Sequence, residues 1–594
     1  MRRTACLVVT LASLAGCGNP LYYEDDTPPF GDDAGPPTSP FEQPVFPAPV
    51  SAAVAPPPIS GGTLAVLSSG KVVASDPDRD HVYVVDLLLG QKIADIALAA
   101  GDEPGRIVED GAGRVHVALR SGGAVVTIDA SSWTITARQA VCPAPRGLAW
   151  DPTGDLIHVA CSGGELVSLP AAGGAPTRTV QLDRDLRDIV ILPNDQLSVS
   201  RLRTAELLTL DATGAVIERQ QPVVTQSFEP DGAWRTVASG TEIFMLHQRA
   251  SSQTVGTVIQ GGYGGPTGCF DSIVHSAITV FEPGSATSIA PVVLGATVPV
   301  DLALSHDGTT VAVLSAGNAY LPGAPVVVTM PRGAVESGGP TCGGNPLVLS
   351  GQGEPIAIAY TAHDQLVVQY REPAQLIVAG SSTPIALSSD SRLDTGLAMF
   401  HANSGGGIAC ASCHFEGGDD GRVWSFDIGN RRTQALRGGI AGTEPFHWAG
   451  DEPDFPTLFE QIFVDRMGGP ETTSDGVSTL EHWVDRIPLI PKAPGDAAAI
   501  ARGKALFEDV NNVGCTTCHN GAKLTNNATV NVGTGGAFQV PRLLGLVEHP
   551  PYLHDGVATT LADRFTAAGG DMHGHTSQLT PAQISDLIAY LDSL

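Results

Sequence analysis

Two stretches of this chain, "ACASCHF" at 409–415 and "GCTTCHN" at 514–520, set two cysteines three residues apart with a histidine directly behind the second. In 594 residues containing 10 Cys and 16 His, chance supplies about 0.005 such matches. Positions i, i+3 and i+4 share one face of a helical turn. Cys410, Cys413 and His414 can therefore address one flat ligand, and so can Cys515, Cys518 and His519. Two thiols for thioether bonds and an imidazole for an iron are the requirements of a covalently attached haem c. The same thiols would also serve a four-thiolate zinc site or two small disulfides. Zinc ribbons, however, space their cysteine pairs roughly 15–20 residues apart and have no need of the histidines.

Haem attachment of this kind implies export. Arg2 and Arg3 precede an apolar run over 5–14 that is too short to span a bilayer and reads as a signal-peptide core. The following "LAGC" at 14–17 resembles the lipobox of bacterial lipoproteins, which would make Cys17 the acylated first residue of the mature chain. Gly18 in place of an aspartate favours the outer membrane. The expected location is thus the bacterial cell envelope, lipid-anchored on the periplasmic side, with a signal at 1–17 and a Pro/Asp/Gly-rich tether at 18–60. A formal charge of −29 argues against nucleic acid and against attraction to anionic lipid, leaving the anchor as the expected membrane contact. An acidic surface suits a basic diffusible redox partner as well as it suits simple solubility.

Between 61 and 388 the chain repeats. Short β-rich runs begin at 82 ("VYVVD"), 125 ("VVTID"), 166 ("LVSLP"), 207 ("LLTLD"), 278 ("ITVFE"), 326 ("VVVTM") and 376 ("LIVAG"). The first steps, of 43, 41 and 41 residues, match the roughly 40–45 of a four-stranded propeller blade, and seven runs predict seven blades. The long step between 211 and 278 predicts an insertion, and it holds the Gly-rich "GGYGGPTGCF" at 261–270, flanked by His247 and His275. A long loop on a rigid scaffold is where function concentrates. Outside the haem motifs, Cys142 and Cys161 in neighbouring blades, with Cys269 and Cys342, allow two disulfides. The repeats look like those of quinoprotein-type and YVTN-type propellers, a likeness of architecture that does not specify chemistry.

Beyond 388 helices take over. Matching lead-ins, "GLAMF" at 396–400 and "GKALF" at 503–507, precede the two CxxCH motifs. They predict two mainly α-helical cytochrome c-like lobes at 391–490 and 495–594, divided where Pro488, Pro491 and Pro494 disfavour helix. The fold expected is multidomain β + α, a seven-bladed β-propeller followed by two haem lobes. Thr580, Pro581 and Gln583 form a capping box that starts a last helix, whose apolar stripe of Ile584, Leu587, Ile588 and Leu591 closes the second lobe.

The segments "CASCHFEGGDDGRVW" (410–424), "RRTQALRGG" (431–439), "FHWAGD" (446–451), "CTTCHNGAKLT" (515–525), "VNVGTGGAFQVPRLLGL" (530–546) and "PPYLHDG" (550–556) resemble the bacterial di-haem cytochrome c peroxidase family, including its methylamine-utilisation members. The likeness covers roughly a third of the chain. It implies two covalently bound haems, with His414 the iron ligand of the peroxide-reacting haem and His519 that of the electron-accepting one. It also implies Trp448 between them, and one calcium ion held partly by the backbone oxygens of His549 and Pro551. Partners so implied are an electron-donor cytochrome or other redox protein, with hydrogen peroxide or a protein as substrate.

The chain also departs from the family. In "LFEQIFVDRMGGP" (458–470) Gln461 matches, but Arg466 stands where the family carries the glutamate that assists O–O cleavage, and Asp465 is the nearest carboxylate. An arginine stabilises developing negative charge but is a poor proton shuttle. Met467 or His447 would saturate the first iron and make the protein an electron carrier, the alternative to an enzyme. For the second iron, "AGGDMHGH" (568–575) offers Met572, His573 and His575. A methionine there would favour a higher potential than a second histidine.

Overall fold

The computed structural model describes residues 42–225, 227–257, 262–265, 271–287, 289–339, 344–347, 349, 353–567 and 570–594. The signal sequence, Cys17 and the expected Cys269–Cys342 pairing lie outside these residues. Among the described helices none is long and apolar enough to cross a membrane.

Seven four-stranded antiparallel sheets follow one another, each with its strands in sequence order. The recurring apolar runs are the third strand of each sheet: His81–Asp86, Ala124–Asp129, Glu165–Pro170, Leu207–Leu210, Val274–Phe281, Val327–Pro331 and Ala374–Val378. They repeat because a third strand is covered on both faces, by the blade before and the blade after, and so reads as a continuous run of β-branched residues. First strands line the axis, and the last, Glu354–Tyr360, lies beside the first, Leu64–Val66, closing a seven-bladed propeller. Cys142, after the second blade, is disulfide-bonded to Cys161 in the third.

The long insertion has a structural use. Blade five has long strands, Phe228–Ser239 and Glu242–Ser251, and the loop after them leaves the propeller to pair with the first haem lobe. The Val255 N–H donates to Ser425 O at 2.8 Å, Thr257 Oγ1 to Asp427 Oδ1 at 2.7 Å, and the Tyr263 N–H to Arg466 O at 2.8 Å. His247 bonds Thr279 Oγ1 at 2.9 Å and His275 stacks on Phe228, so both serve the blade.

Residues 42–60 correct the expectation of a free tether as far as residue 60. The Trp483 indole donates to Pro56 O at 3.0 Å, Arg486 to Ala52 O at 2.9 Å, and the Ala52 N–H to Asp394 Oδ2 at 2.9 Å. Prolines there keep the strand extended, and lobe side chains supply the hydrogen bonds that a core would otherwise provide.

The two lobes repeat one packing device. The lead-in helix Thr395–His401 crosses Ser474–Asp485, and Ala497–Glu508 crosses Pro581–Asp592. At each crossing stands the glycine of the matched lead-in. A Cβ on Gly396 would meet Thr479 O at 2.2 Å, and one on Gly503 would meet Asp586 O at 1.9 Å. The Thr580 capping box forms as expected, and Leu587 and Leu591 are buried against Phe507. The CxxCH segments are single tight turns rather than longer helices, with the His414 N–H on Cys410 O at 3.0 Å and the His519 N–H on Cys515 O at 2.9 Å.

The most deeply buried ionic tie between the first lobe and the propeller axis is one carboxylate. Glu416, two residues after His414, takes a left-handed φ of 49° and is buried, with its carboxylate 2.6 Å from Arg187, 3.1 Å from Arg146 and 3.7 Å from Arg120 of the propeller. Arg437 of its own lobe stands at 4.0 Å, and Ser60 donates a further hydrogen bond. Burial alone would raise this carboxyl, but the four guanidiniums outweigh it and hold it well below the ordinary 4.5. Beside it Phe415 meets Trp234 edge-on at 5.6 Å, and Gln248 donates to Ser412 O at 2.9 Å.

Two expectations follow. Gly503→Ala forces backbone apart at a helix crossing and should cost roughly 1–3 kcal/mol, read as a lowered denaturant midpoint, whereas unchanged stability would contradict the close approach. Glu416→Gln leaves buried cations unpaired and should cost about 3–5 kcal/mol. Because the Glu416 carboxyl is held below 4.5, its contribution is complete above that pH and fades as pH falls below it. The stability difference between wild type and Glu416→Gln should therefore shrink on acidification, and a difference that is flat or grows would oppose the assignment.

Candidate functional site

Both CxxCH turns open into one cavity of about 770 Å³ that runs between the lobes. The first turn brings Cys410, Cys413 and His414 to its wall and the second brings Cys515, Cys518 and His519. All four thiols are free. His414 Nδ1 donates to Gly418 O at 3.2 Å and His519 Nδ1 to Leu524 O at 3.0 Å. A backbone acceptor on Nδ1 fixes the tautomer and leaves Nε2 as a metal ligand. Burial lowers both histidines, keeping them in the neutral form that binds metal.

The wall is mostly apolar, with cations at selected points. Arg542 is pushed down to about 10 by burial, and its Nη1 has no hydrogen-bond partner, as is also true of Arg432 Nε. Buried guanidinium groups facing an apolar, plate-accommodating space suit a flat apolar ring system that carries carboxylates. Together with the free thiols and the Nδ1-anchored histidines, this donor set fits covalently attached haem c at both motifs.

The two ends of the cavity differ. At the second, the His519 and His573 rings face each other with centroids 6.3 Å apart at 31°. His573 is lowered to about 3, first by burial and then by Arg564 and His519, and its Nδ1 has no hydrogen-bond partner. Met572, its neighbour, is 64 % exposed, and His575 reaches the cavity wall. At the first end the ring beside His414 is Phe400, with centroids 6.5 Å apart, and Tyr263, Arg466 and His447 line the space near Cys413. Arg466 donates to Tyr263 Oη at 3.2 Å. Burial raises Tyr263, so its hydroxyl stays protonated.

Arg466 ends a widened π-helical turn, Glu460–Arg466, in which the Met467 N–H reaches back to Ile462 O at 2.9 Å. Insertions of this kind re-aim side chains and recur at functional sites. Arg466 lines the cavity, whereas Gln461, Asp465 and Met467 do not. Met467 is buried in the apolar core of the first lobe. Trp448 joins the halves: its indole donates to Arg432 O at 2.7 Å, its carbonyl accepts from the Gln539 N–H at 2.8 Å, and its ring meets His554 at 6.3 Å. His549 and Pro551 line the same cavity, with His549 Nδ1 2.8 Å from Asp419. Sequence reasoning marked the loop carrying Tyr263 without picking out that side chain, and it passed over Glu452, a fully buried acid beside His447. Tyr263 meets Arg466 across a sequence separation of 203, which leaves no local pattern, whereas His447, Asp451 and Glu452 stand close together in the chain.

Residues 500–594 match the family model described as cytochrome c. Hydrazine synthase subunit gamma of Kuenenia stuttgartiensis is 28% identical to this chain over a match covering 32% of the chain and 72% of that protein. Among solved structures, a chain of Kuenenia stuttgartiensis hydrazine synthase aligns over 57% of this chain and 98% of its own at 16% identity, with a TM-score of 0.45. A chain of the same enzyme pressurised with xenon aligns over 32% and 82% at 24% identity, with a TM-score of 0.28. A streptogramin B lyase aligns over 54% and 93% at 10% identity, with a TM-score of 0.37. The C-terminal segment is a cytochrome c domain, and such a domain implies covalently bound haem c.

Pyridine haemochrome absorbance per chain should halve in Cys515→Ala/Cys518→Ala and halve likewise in Cys410→Ala/Cys413→Ala. A pair whose loss leaves the absorbance unchanged would remove haem from that motif.

Proposed function

We propose that this protein is a di-haem c-type oxidoreductase in which the His519 lobe receives electrons and the His414 lobe holds a small reactant. The observation that carries the reading is the unlike furnishing of a single cavity: a facing histidine pair at one end, and Arg466 with the Tyr263 hydroxyl at the other. Haem c, when attached, supplies reversible one-electron exchange at its iron.

The chain's own residues divide the remaining work. His573 stands opposite His519 with ring centroids 6.3 Å apart, so these two histidines, rather than the exposed Met572, would hold the iron of a haem attached there. Trp448, hydrogen-bonded to both lobes, keeps the halves in register. Arg466 offers a fixed positive charge to an oxygen or nitrogen atom gaining negative charge, and Tyr263 orients that guanidinium while excluding water. Within this reading hydrogen peroxide is the reactant proposed first. The relative named for hydrazine synthase supports widening the trial to small nitrogen compounds. An electron-donor protein, a lipid anchor in the outer membrane and a calcium ion on the oxygens of His549 and Pro551 belong to the same proposal. A carrier without catalysis is the second reading, favoured by the absence of a carboxylate at the position of Arg466.

The test combines electron paramagnetic resonance with donor-dependent peroxide consumption. His573→Ala should convert one low-spin signal to high spin, whereas Met572→Ala should leave it untouched. Arg466→Leu should slow peroxide loss about 100-fold without altering the His519-lobe signal. Wild-type protein that consumes neither peroxide nor a small nitrogen compound would leave the carrier reading in place.

A further inference from the structure

The loop over 446–452 closes on itself beside the cavity, with the Phe446 N–H on Glu452 O at 2.7 Å and the Gly450 N–H on His447 O at 3.1 Å. His447 has a φ of 65°, left-handed and uncommon outside glycine. In this closed loop the imidazole lies against the following acids: Nδ1 is 3.3 Å from Asp451 Oδ1 and 3.6 Å from Glu452 Oε1. One donor atom from each of the three side chains lies within 4.8 Å of the others.

Glu452 is the unusual member. Its side chain is 0% exposed, and among the described residues neither carboxylate oxygen has a hydrogen-bond partner. Buried carboxylates are ordinarily paired or bound to metal. Arg466 acts on Glu452 from a distance, but its guanidinium is hydrogen-bonded to Tyr263, and among the described residues it makes no ion pair with the acid. Asp451 is half exposed, which leaves the trio open to solvent on one side.

We propose that His447, Asp451 and Glu452 bind one divalent ion of the zinc class through one imidazole nitrogen and two carboxylates. The nitrogen ligand argues against calcium and magnesium, which take oxygen. One histidine with two carboxylates is a donor set for Zn2+ and its first-row neighbours, with water completing the shell. The site shares no ligand with either CxxCH motif or with the His549 and Pro551 oxygens, although His447 and Asp451 line the same cavity. Its occupant ties down the loop that carries Trp448, the residue hydrogen-bonded to both lobes, so the ion is structural and sets how the lobes meet. The ion takes His447 in place of the first iron, so the carrier reading would need another ligand for that iron.

Holo-protein stripped with a chelator and titrated calorimetrically with Zn2+ tests it, with zinc K-edge absorption on the loaded sample. We expect one site per chain, weakened at least about tenfold in Glu452→Gln, which preserves shape, and in His447→Ala. An imidazole should appear in the wild-type zinc shell and vanish in His447→Ala, while an unaltered far-ultraviolet circular dichroism spectrum reports that each variant is folded. Should His447→Ala fail to fold, Glu452→Gln alone decides. No uptake by wild type, equal affinity in wild type and Glu452→Gln, or a shell without imidazole would overturn the proposal.

Discussion

A single buried carboxylate ties the first CxxCH turn to the propeller axis. Glu416 enters the propeller axis from the turn that follows the first CxxCH motif and meets guanidiniums from blades two, three and four. Such a charge is tolerable only in company, since either side alone would leave bare ions out of water. Haem motif and propeller are therefore obliged to meet, and in one geometry. Two of these arginines are themselves held by the axis: Arg146 pairs with Asp185 at 3.0 Å, and Arg187 donates to Trp234 O at 3.2 Å.

From that anchor the rest is placed in order. The turn through Glu416 fixes His414, and Asp419 just beyond it binds Arg203 of the propeller, Arg432 of its own lobe and His549 of the second lobe. The blade-five loop reaches over to lay Tyr263 beside Arg466. The propeller is thus part of the cavity's construction, because it contributes a side chain to the wall and the counter-charges that hold the first CxxCH motif. The second lobe joins the first through Trp448, His549, Lys523 and Arg542 and meets the propeller through Glu548 on Arg184, and it presents the facing histidine pair instead of an arginine and a tyrosine.

What could be read from the chain was what local physics writes into it. Third strands sandwiched between blades must be apolar throughout, so their repeat counts the blades. CxxCH needs its spacing within one turn, and the Thr580 capping box is complete in four residues. The partners of Glu416 were not legible, because Arg187 and Arg146 lie 229 and 270 residues away and a lone glutamate has no signature of insertion. The sequence also carried no mark of the π turn at 460–466, which aims Arg466 inward and leaves Gln461 and Asp465 aside. Residues 42–60 looked too polar and proline-rich to pack, yet their backbone hydrogen bonds go to the first lobe.

The claim of two unlike haems sharing one cavity is tested most directly by a spectropotentiometric titration of the intact holo-protein, run with and without carbon monoxide. Two separate one-electron steps are predicted, of which carbon monoxide shifts only one, the step missing from protein without Cys410 and Cys413. A titration in which carbon monoxide shifts both steps alike, or shifts neither, would contradict the division between an electron-receiving lobe and a ligand-binding one.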